Sequence, residues 1–276
     1  SLSFKTQRVS NDSFFRIHNI NTSLVNSENT DLKNEINYNF AKNNMYVNIS
    51  GTVYENLREE SNSRYEYILP NVLYGKTFLT EKFGLLDFKS NIFYKNYDVN
   101  KHRTVLNNDI IWSPSSFITK NGFVNTLSGM VTNSNYEAKN TADYKNQGTI
   151  NELSGVLRFK SSFPLKKETE NYSNIFSPNF MVRYAPGHMI DLGDEDVNLK
   201  YSNLYSLNKT SVIEDGLNTI LGFDFKVREK DVDGTNREKL SLSMGQAFSP
   251  QKNKDIPSSS SLDQKISDLV GEINYN

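Results

Sequence analysis

Met45-Tyr46-Val47-Asn48-Ile49-Ser50-Gly51-Thr52-Val53 places an apolar or small residue at every odd position and Tyr, Asn, Ser and Thr at the even ones. Successive side chains of a strand point to opposite faces, so this stretch predicts a strand with one apolar and one polar face. The segment before it repeats the pattern in Leu32, Ile36, Tyr38 and Phe40, and Ala41 to Asn44 between the two is short enough for an antiparallel hairpin. If the odd-numbered residues face lipid, then Tyr46, Asn48, Ser50 and Thr52 face a lumen.

Outward from this hairpin the same period recurs in Tyr65, Tyr67, Leu69, in Leu86, Phe88, Ile92, Tyr94, and in Thr104, Leu106, Ile110, Trp112. It continues in Phe123, Leu127, Gly129, Val131, in Leu153, Gly155, Leu157, Phe159, and in Phe180, Val182, Tyr184. Val197, Leu199, Tyr201 read as a strand, as do Leu217, Leu221, Phe223, Phe225, Val227, then Leu240, Leu242, Met244, and finally Leu269, Gly271, Ile273, Tyr275. With the opening Leu2 and Phe4, the pattern predicts about thirteen strands at roughly 20 residues per strand plus turn, where a tilted membrane strand needs ~9–11. Pro70 ends one apolar series and the next resumes on the even positions Val72 and Tyr74, a one-residue slip that predicts a bulge.

Polar connections are expected at Leu57 to Ser63, Lys95 to His102, Ser134 to Gln147, Lys166 to Tyr172, Glu229 to Arg237 and Ser249 to Ser261. They fall on about every second connection, and long loops on one rim with short turns on the other mark an outer-membrane barrel. The expected fold is therefore all-β: an antiparallel up-and-down transmembrane β-barrel wall, one domain over residues 1–276. A soluble sandwich also alternates, but its strands average ~5–6 residues, and the absence of an internal repeat weighs against propellers and solenoids. Ser1 and Asn276 fall in alternating segments, which suggests cuts through strands of a longer protein, a partial barrel.

Composition narrows function. The 31 Lys+Arg balance 32 Asp+Glu, and no basic run offers nucleic acid a grip. The absence of cysteine removes disulfides, thiolate metal sites and cysteine nucleophiles. No stretch approaches the ~18 apolar residues of a membrane helix, a test that a barrel with alternating faces does not meet either. The 37 asparagines, scattered through strands and loops, read as compositional bias.

Chemistry-bearing residues are sparse. His18, His102 and His188 sit in expected turns without the spacing of a metal site or a nucleophile pair, so neither catalysis nor a cofactor is expected. Asp231, Asp233, Gly234, Asn236 and Glu238 carry their glycine at the fourth position instead of the sixth that a calcium loop requires. Asp191, Asp194, Glu195 and Asp196 around Gly193 read first as a solvated loop, with a divalent cation at a phosphate-rich surface as the lesser reading. Gly245-Gln246 feeds no helix and is no phosphate loop. Tyr65, Tyr67, Tyr74, Phe93, Tyr94 and Tyr97 fall near strand ends, where aromatic girdles or ordinary cross-strand pairs would both place them.

Gln7-Arg8-Val9-Ser10-Asn11-Asp12-Ser13-Phe14-Phe15, Val53-Tyr54-Glu55-Asn56-Leu57 followed by Arg64-Tyr65-Glu66-Tyr67-Ile68-Leu69-Pro70, and Tyr201-Ser202-Asn203-Leu204-Tyr205 resemble the barrel of the lipopolysaccharide assembly family LptD, the organic solvent tolerance family. Asp215-Gly216-Leu217 leading into Leu221-Gly222-Phe223, and Leu240 to Phe248 around Met244-Gly245-Gln246, are similar to it in the same order. The resemblance implies a Gram-negative outer-membrane translocon. It would receive lipopolysaccharide from a periplasmic Lpt bridge through an N-terminal jellyroll, hold an LptE-like plug lipoprotein, and deliver the lipid through a gate between first and last strands. Jellyroll, gate strands and the family's cysteines have no counterpart here, as expected of a middle part of the wall, so no gate residue is carried over. Membrane lipids would be the remaining partner. The alternative is a porin or a TonB-dependent-receptor-like channel.

Overall fold

The structure is a computed structural model that describes residues 1–21, 30–59, 64–98, 101–140, 148–187, 189, 192, 197–210, 212–230 and 236–276. Strands dominate it: β1 (Leu2–Lys5), β2 (Asp31–Lys42), β3 (Met45–Asn56), β4 (Tyr65–Thr80), β5 (Gly84–Asp98), β6 (Lys101–Ser113), β7 (Phe117–Ile118), β8 (Val124–Lys139), β9 (Gly148–Ser162), β10 (Leu165–Glu168), β11 (Tyr172–Ala185), β12 (Gly216–Lys230), β13 (Asn236–Phe248) and β14 (Val270–Tyr275). Helix is confined to two short turns, α1 (Phe14–Ile17) and α2 (Tyr201–Leu204), and a 3-10 turn at Ser261–Asp263. Among the described residues no helix is long and apolar enough to cross a membrane.

The strands form one sheet in the order β1-β2-β3-β4-β5-β6-β8-β9-β11-β12-β13-β14, with β7 paired to β8 and β10 to β11. Sequence neighbours pair throughout this up-and-down path, and it ends at β1 and β14 without closing, as a partial barrel wall does. β4 has 16 residues, about 50 Å at a strand's rise of roughly 3.3 Å per residue, well beyond a hydrocarbon core.

The predicted hairpin is present. Lys42 pairs with Met45 across a two-residue turn in which Asn43 takes a left-handed φ of 51°, a conformation asparagine tolerates. The slip at Pro70 is a bulge: Ser50 pairs with Asn71 and Thr52 with Ile68, so Leu69 and Pro70 share Gly51. A Cβ on Gly51 would lie 2.4 Å from Leu69 Cδ2, so the Leu69 side chain of the bulge occupies the space that Gly51 leaves open.

Three expectations change. Val197, Leu199 and Tyr201 form no strand: 197–200 is irregular and leads into α2. There Asn203 Oδ1 accepts from the Lys200 amide at 2.9 Å and Asn203 Nδ2 donates to the Asn198 carbonyl at 2.9 Å, local bonds that replace a ladder. The expected loop Lys166 to Tyr172 contains β10, which pairs Leu165 with Phe176 and turns back through a Thr169–Tyr172 contact of 2.8 Å. Losing one strand and gaining β7 and β10 turns the expected thirteen into fourteen. The loops expected at Lys95, Ser134 and Glu229 also begin later, because their strands run on through polar residues. At β12 and β13 cross-strand ion pairs support the extension, Lys226 to Glu238 at 3.4 Å and Lys239 to Glu229 at 2.9 Å.

The chain divides into two compact units, one of Ser1–Phe78, Asp87–Ile110 and Thr132–Leu153, the other of Leu79–Leu86, Ile111–Val131 and Ser154–Asn276. In the first, the segment Gln7 to Ile20 folds over the start of β2 and buries Leu32 completely with Phe15 and Leu57. Arg64 ties it down, bonding both Asp12 oxygens at 2.6 and 3.1 Å and Glu55 at 2.9 Å. In the second, the connection after β11 turns back onto the sheet, so Leu204 of α2 packs against Met181, Ile220 and Ala247. A neighbouring cluster joins Met189, Leu192 and Val197 to Ile256 and Leu262 of the connection after β13.

Candidate functional site

Register assigns the faces of the first unit. Tyr46 pairs with Ala41, Asn48 with Asn39, Ser50 with Asn37 and Thr52 with Glu35, so the four residues singled out by alternation share one face, the last three with polar partners. Asn48 Nδ2 donates to Asn39 Oδ1 at 2.6 Å and to Asn37 Oδ1 at 2.9 Å, an amide ladder across β2 and β3. Ser50 and Thr52 are buried, while Tyr46 is exposed and lies over Gly75. The opposite face pairs Val47 with Phe40 and Tyr74, and Ile49 with Tyr38 and Val72. Ile36, Tyr38, Phe40 and Ile49 stand exposed on it.

The second unit has the same two-sided build. Phe176, Phe180 and Tyr184 of β11 face Phe225, Leu221 and Leu217 of β12 by register. All but Phe225 are exposed large hydrophobics, in contrast to the buried positions that alternate with them. An exposed leucine-sized side chain forgoes about 1.5–3 kcal/mol of burial. Rows of them on adjacent strands form a contiguous apolar surface of the kind that suits an apolar phase.

The polar face of the second unit is covered and charged. Asp224 of β12 accepts from Asn179 Nδ2, Tyr201 Oη and Ser243 Oγ, each at 2.6 Å, so both carboxylate oxygens are engaged. Arg158 of β9 pairs directly with Arg183 of β11, and Lys160 with Met181. Arg158 donates to Ser128 Oγ at 2.9 Å and to the Tyr205 carbonyl at 2.6 Å, and Arg183 Nε donates to the Leu207 carbonyl at 2.6 Å. Lys160 Nζ sits 4.5 Å from the Tyr205 ring centroid. Glu214 faces both Arg183 at 3.5 Å and Lys209 at 3.4 Å, and all three side chains are essentially buried.

Two glycines let the connection settle. Gly222 and Gly245 pair across β12 and β13. A Cβ on Gly222 would fall 2.3 Å from Tyr205 Oη and one on Gly245 2.5 Å from Leu204 Cδ2, so the missing side chains form the notch that seats α2. Burial pushes the Tyr205 hydroxyl up to about 12. Burial, then the bond to Asp224, raises Tyr201, and burial lowers Lys209. A cavity of about 420 Å³ opens beside Glu214 and Asp215, rimmed by Asn218, Asn253, Asp255 and Leu262.

The two described histidines each pack on an aromatic ring. His18 packs on Phe14 at 4.7 Å and His102 on Tyr94 at 5.9 Å, while His188 lies outside the described residues. So do Asp191, Gly193, Asp194, Glu195 and Asp196, and Asp231, Asp233 and Gly234 of the other acidic loop. Among the described residues no group of three metal-ligating side chains forms. Gly245-Gln246 lies inside β13, as a strand and no phosphate loop. Of the strand-end aromatics, Tyr65 stacks on Tyr67 at 6.2 Å and Tyr74 meets Phe88 at 6.0 Å; the side chain of Tyr97 lies outside the described residues.

Sequence reasoning missed Arg158, Lys160, Arg183, Lys209, Glu214 and Asp224. The first three and Asp224 occupy the positions between outward apolar residues such as Leu157, Phe159, Val182 and Tyr184. Charges alternating with apolar residues in those strands were the available signal. Nothing in the spacing of Lys209 and Glu214 marks them, since a fold-back of the chain brings them in.

Comparison with known proteins agrees with the sheet and its two-sided faces. The family described as LPS transport system D, LptD, matches residues 1–276. No curated protein matches the chain. A match to the family over the whole chain, on an antiparallel sheet with one apolar and one polar face, makes this chain a member of the LptD family of lipopolysaccharide transport proteins.

Proposed function

We propose that this chain forms part of the wall of an outer-membrane translocon that inserts lipopolysaccharide into the outer leaflet of a Gram-negative bacterium. The single observation that carries the reading is the family match over residues 1–276. The build of the sheet supports it: apolar rows such as Ile36, Tyr38, Phe40 and Ile49 suit acyl chains, while the amide ladder of Asn37, Asn39 and Asn48 suits water, sugar hydroxyls or a plug lipoprotein. Tyr46, Asn48, Ser50 and Thr52 are then lumen-facing.

The work of such a wall is solvation. A phosphorylated saccharide crossing a hydrocarbon layer leaves polar groups unpaired at several kcal/mol each, and a polar face replaces those bonds. Arriving from a periplasmic Lpt bridge, the lipid brings its energy from elsewhere, and the wall supplies a path without making or breaking a covalent bond. The reading is tested by depleting the intact protein in cells and following newly made lipopolysaccharide to the surface. Arrival should stop while phospholipid synthesis continues. Unchanged arrival, with loss of small-solute uptake instead, would favour the channel reading.

A further inference from the structure

Four cations converge on the covered polar face of the second unit: Arg158, Lys160, Arg183 and Lys209. Among the described residues carboxylates are fewer there. Asp224 is engaged by three neutral donors, Asp215 accepts from Asn253 Nδ2 at 2.7 Å, and Glu214 is shared between Arg183 and Lys209. Asp224 also attracts Lys160, and Asp215 attracts Arg183. The other described partners of the three strand cations are neutral: Ser128 Oγ, the Tyr205 and Leu207 carbonyls and the Tyr205 ring.

Arg183 shows the shortfall most clearly. Its side chain is fully buried, yet Nη1 and Nη2 make no hydrogen bond. The contact to Glu214 at 3.5 Å is an ion pair without hydrogen-bond geometry. An arginine presents five donors in a fork that matches carboxylate or phosphate oxygens, and buried donors are ordinarily satisfied. Among the described residues of the connection no acceptor completes this fork.

We propose that Arg158, Lys160 and Arg183 form a phosphate-binding site on the polar face of β9 and β11, uncovered when residues 197–210, which carry α2, lift from the Gly222–Gly245 notch. The phosphate would take the donors now held by the two carbonyls together with the idle Arg183 fork, while Glu214 leaves with the connection. The same chemistry serves a phosphate group of lipopolysaccharide or free inorganic phosphate. The former rests on the translocon reading; the site itself does not.

The test uses the full-length protein in detergent, with folding checked by the gel shift between heated and unheated samples. Inorganic pyrophosphate is the first probe, by calorimetric titration. Arg183→Gln should weaken its binding tenfold or more and Arg158→Gln several-fold. Glu214→Gln, which removes the competing carboxylate, and Gly245→Val, which fills the notch without touching a cation, should each tighten it several-fold. Equal affinity in the wild type, Glu214→Gln and Arg183→Gln would overturn the proposal, as would weaker binding in Glu214→Gln and Gly245→Val when both are folded. Competition then separates the sources. If phosphorylated lipopolysaccharide displaces pyrophosphate and its dephosphorylated form does not, the site takes the lipid's phosphate. If neither displaces it while the variants behave as expected, the site stands and its ligand is free phosphate, a result that tells against the substrate and leaves the site intact.

Discussion

The polar faces of the two units are built on the same strand geometry and used in opposite ways. In the first, β2 and β3 carry a ladder of neutral amides in which Asn37, Asn39 and Asn48 bond to one another, with Ser50 and Thr52 buried on the same face and Tyr46 exposed over Gly75. In the second, the face is charged and hidden beneath α2 and its flanking chain, which the Gly222–Gly245 notch and the Arg183–Glu214–Lys209 group hold down. Neutral side chains satisfied by their neighbours need no cover. Clustered cations cost more to leave without acceptors, and a chain that supplies carbonyls and the Glu214 carboxylate covers them. The lesson is that alternation decides which face a residue takes, while charge and missing side chains decide what settles on that face.

The deepest way to break the contrast is to strip the charged face of its one shared carboxylate. Glu214→Ala leaves Arg183 and Lys209 buried without it, a loss of about 3–5 kcal/mol from the covered state. Limited proteolysis of the full-length protein should then cut between residues 197 and 215 under conditions that spare the wild type. The corresponding truncation on the neutral face, Asn48→Ala, removes two amide bonds worth about 0.5–1.5 kcal/mol each and should leave that cleavage pattern unchanged.

A charge placed on either side of β3 sharpens the assignment of faces. Val47→Arg lies on the apolar side and should cost about 2–4 kcal/mol if it reaches the bilayer midplane, read as a lower temperature for loss of the folded gel band. Asn48→Arg, one residue along, should be tolerated. Filling the notch comes next: Gly245→Val forces a side chain into Leu204 and should cost about 1–3 kcal/mol, with new cleavage in the same connection. Among the described residues no glycine faces the N-terminal cap of the first unit, so this cleavage should not spread to residues 7–20.

The smallest effect concerns that cap. The side-chain bond from Arg64 holds Asp12 below its ordinary value of 3.8, while the Asp12 bond, then Glu55, raises Arg64. Because the folded pKa is depressed, the tie is fully present above about pH 4 and is lost as pH falls through the lowered value. Amide exchange in residues 7–20 should therefore quicken on acidification below pH 4, and Asp12→Asn should remove that dependence. Asp12 is exposed, so the shift should be slight.

These two regions also differ in how legible they were. The hairpin, its faces and the Pro70 bulge follow from period two and from proline's missing amide, both local properties of the chain. So does most of the strand path, except that counting apolar residues ended several strands too early, since a backbone ladder continues through residues like Lys226 and Glu238 once ion pairs satisfy their side chains. Val197 to Tyr201 alternates like a strand, yet its apolar residues are buried against Met181 and Ile256 by a fold-back that no local period encodes. The charged face was half visible, in Arg158, Lys160 and Arg183 at inward positions. Its carboxylate arrives from a segment distant in sequence, and only the three-dimensional arrangement shows that Arg183 keeps two idle donors.

The central claim is that one face of this sheet meets lipid and the other a polar passage. A photo-crosslinking residue placed in turn at each position from 45 to 53 of the full-length protein in living cells tests it most directly. The account predicts adducts alternating with period two: phospholipid from the odd positions, with Val47 and Ile49 strongest, and lipopolysaccharide or a plug lipoprotein from Tyr46, Asn48, Ser50 and Thr52. Lipid adducts from the even positions, or the same partner from neighbouring residues along the strand, would contradict it.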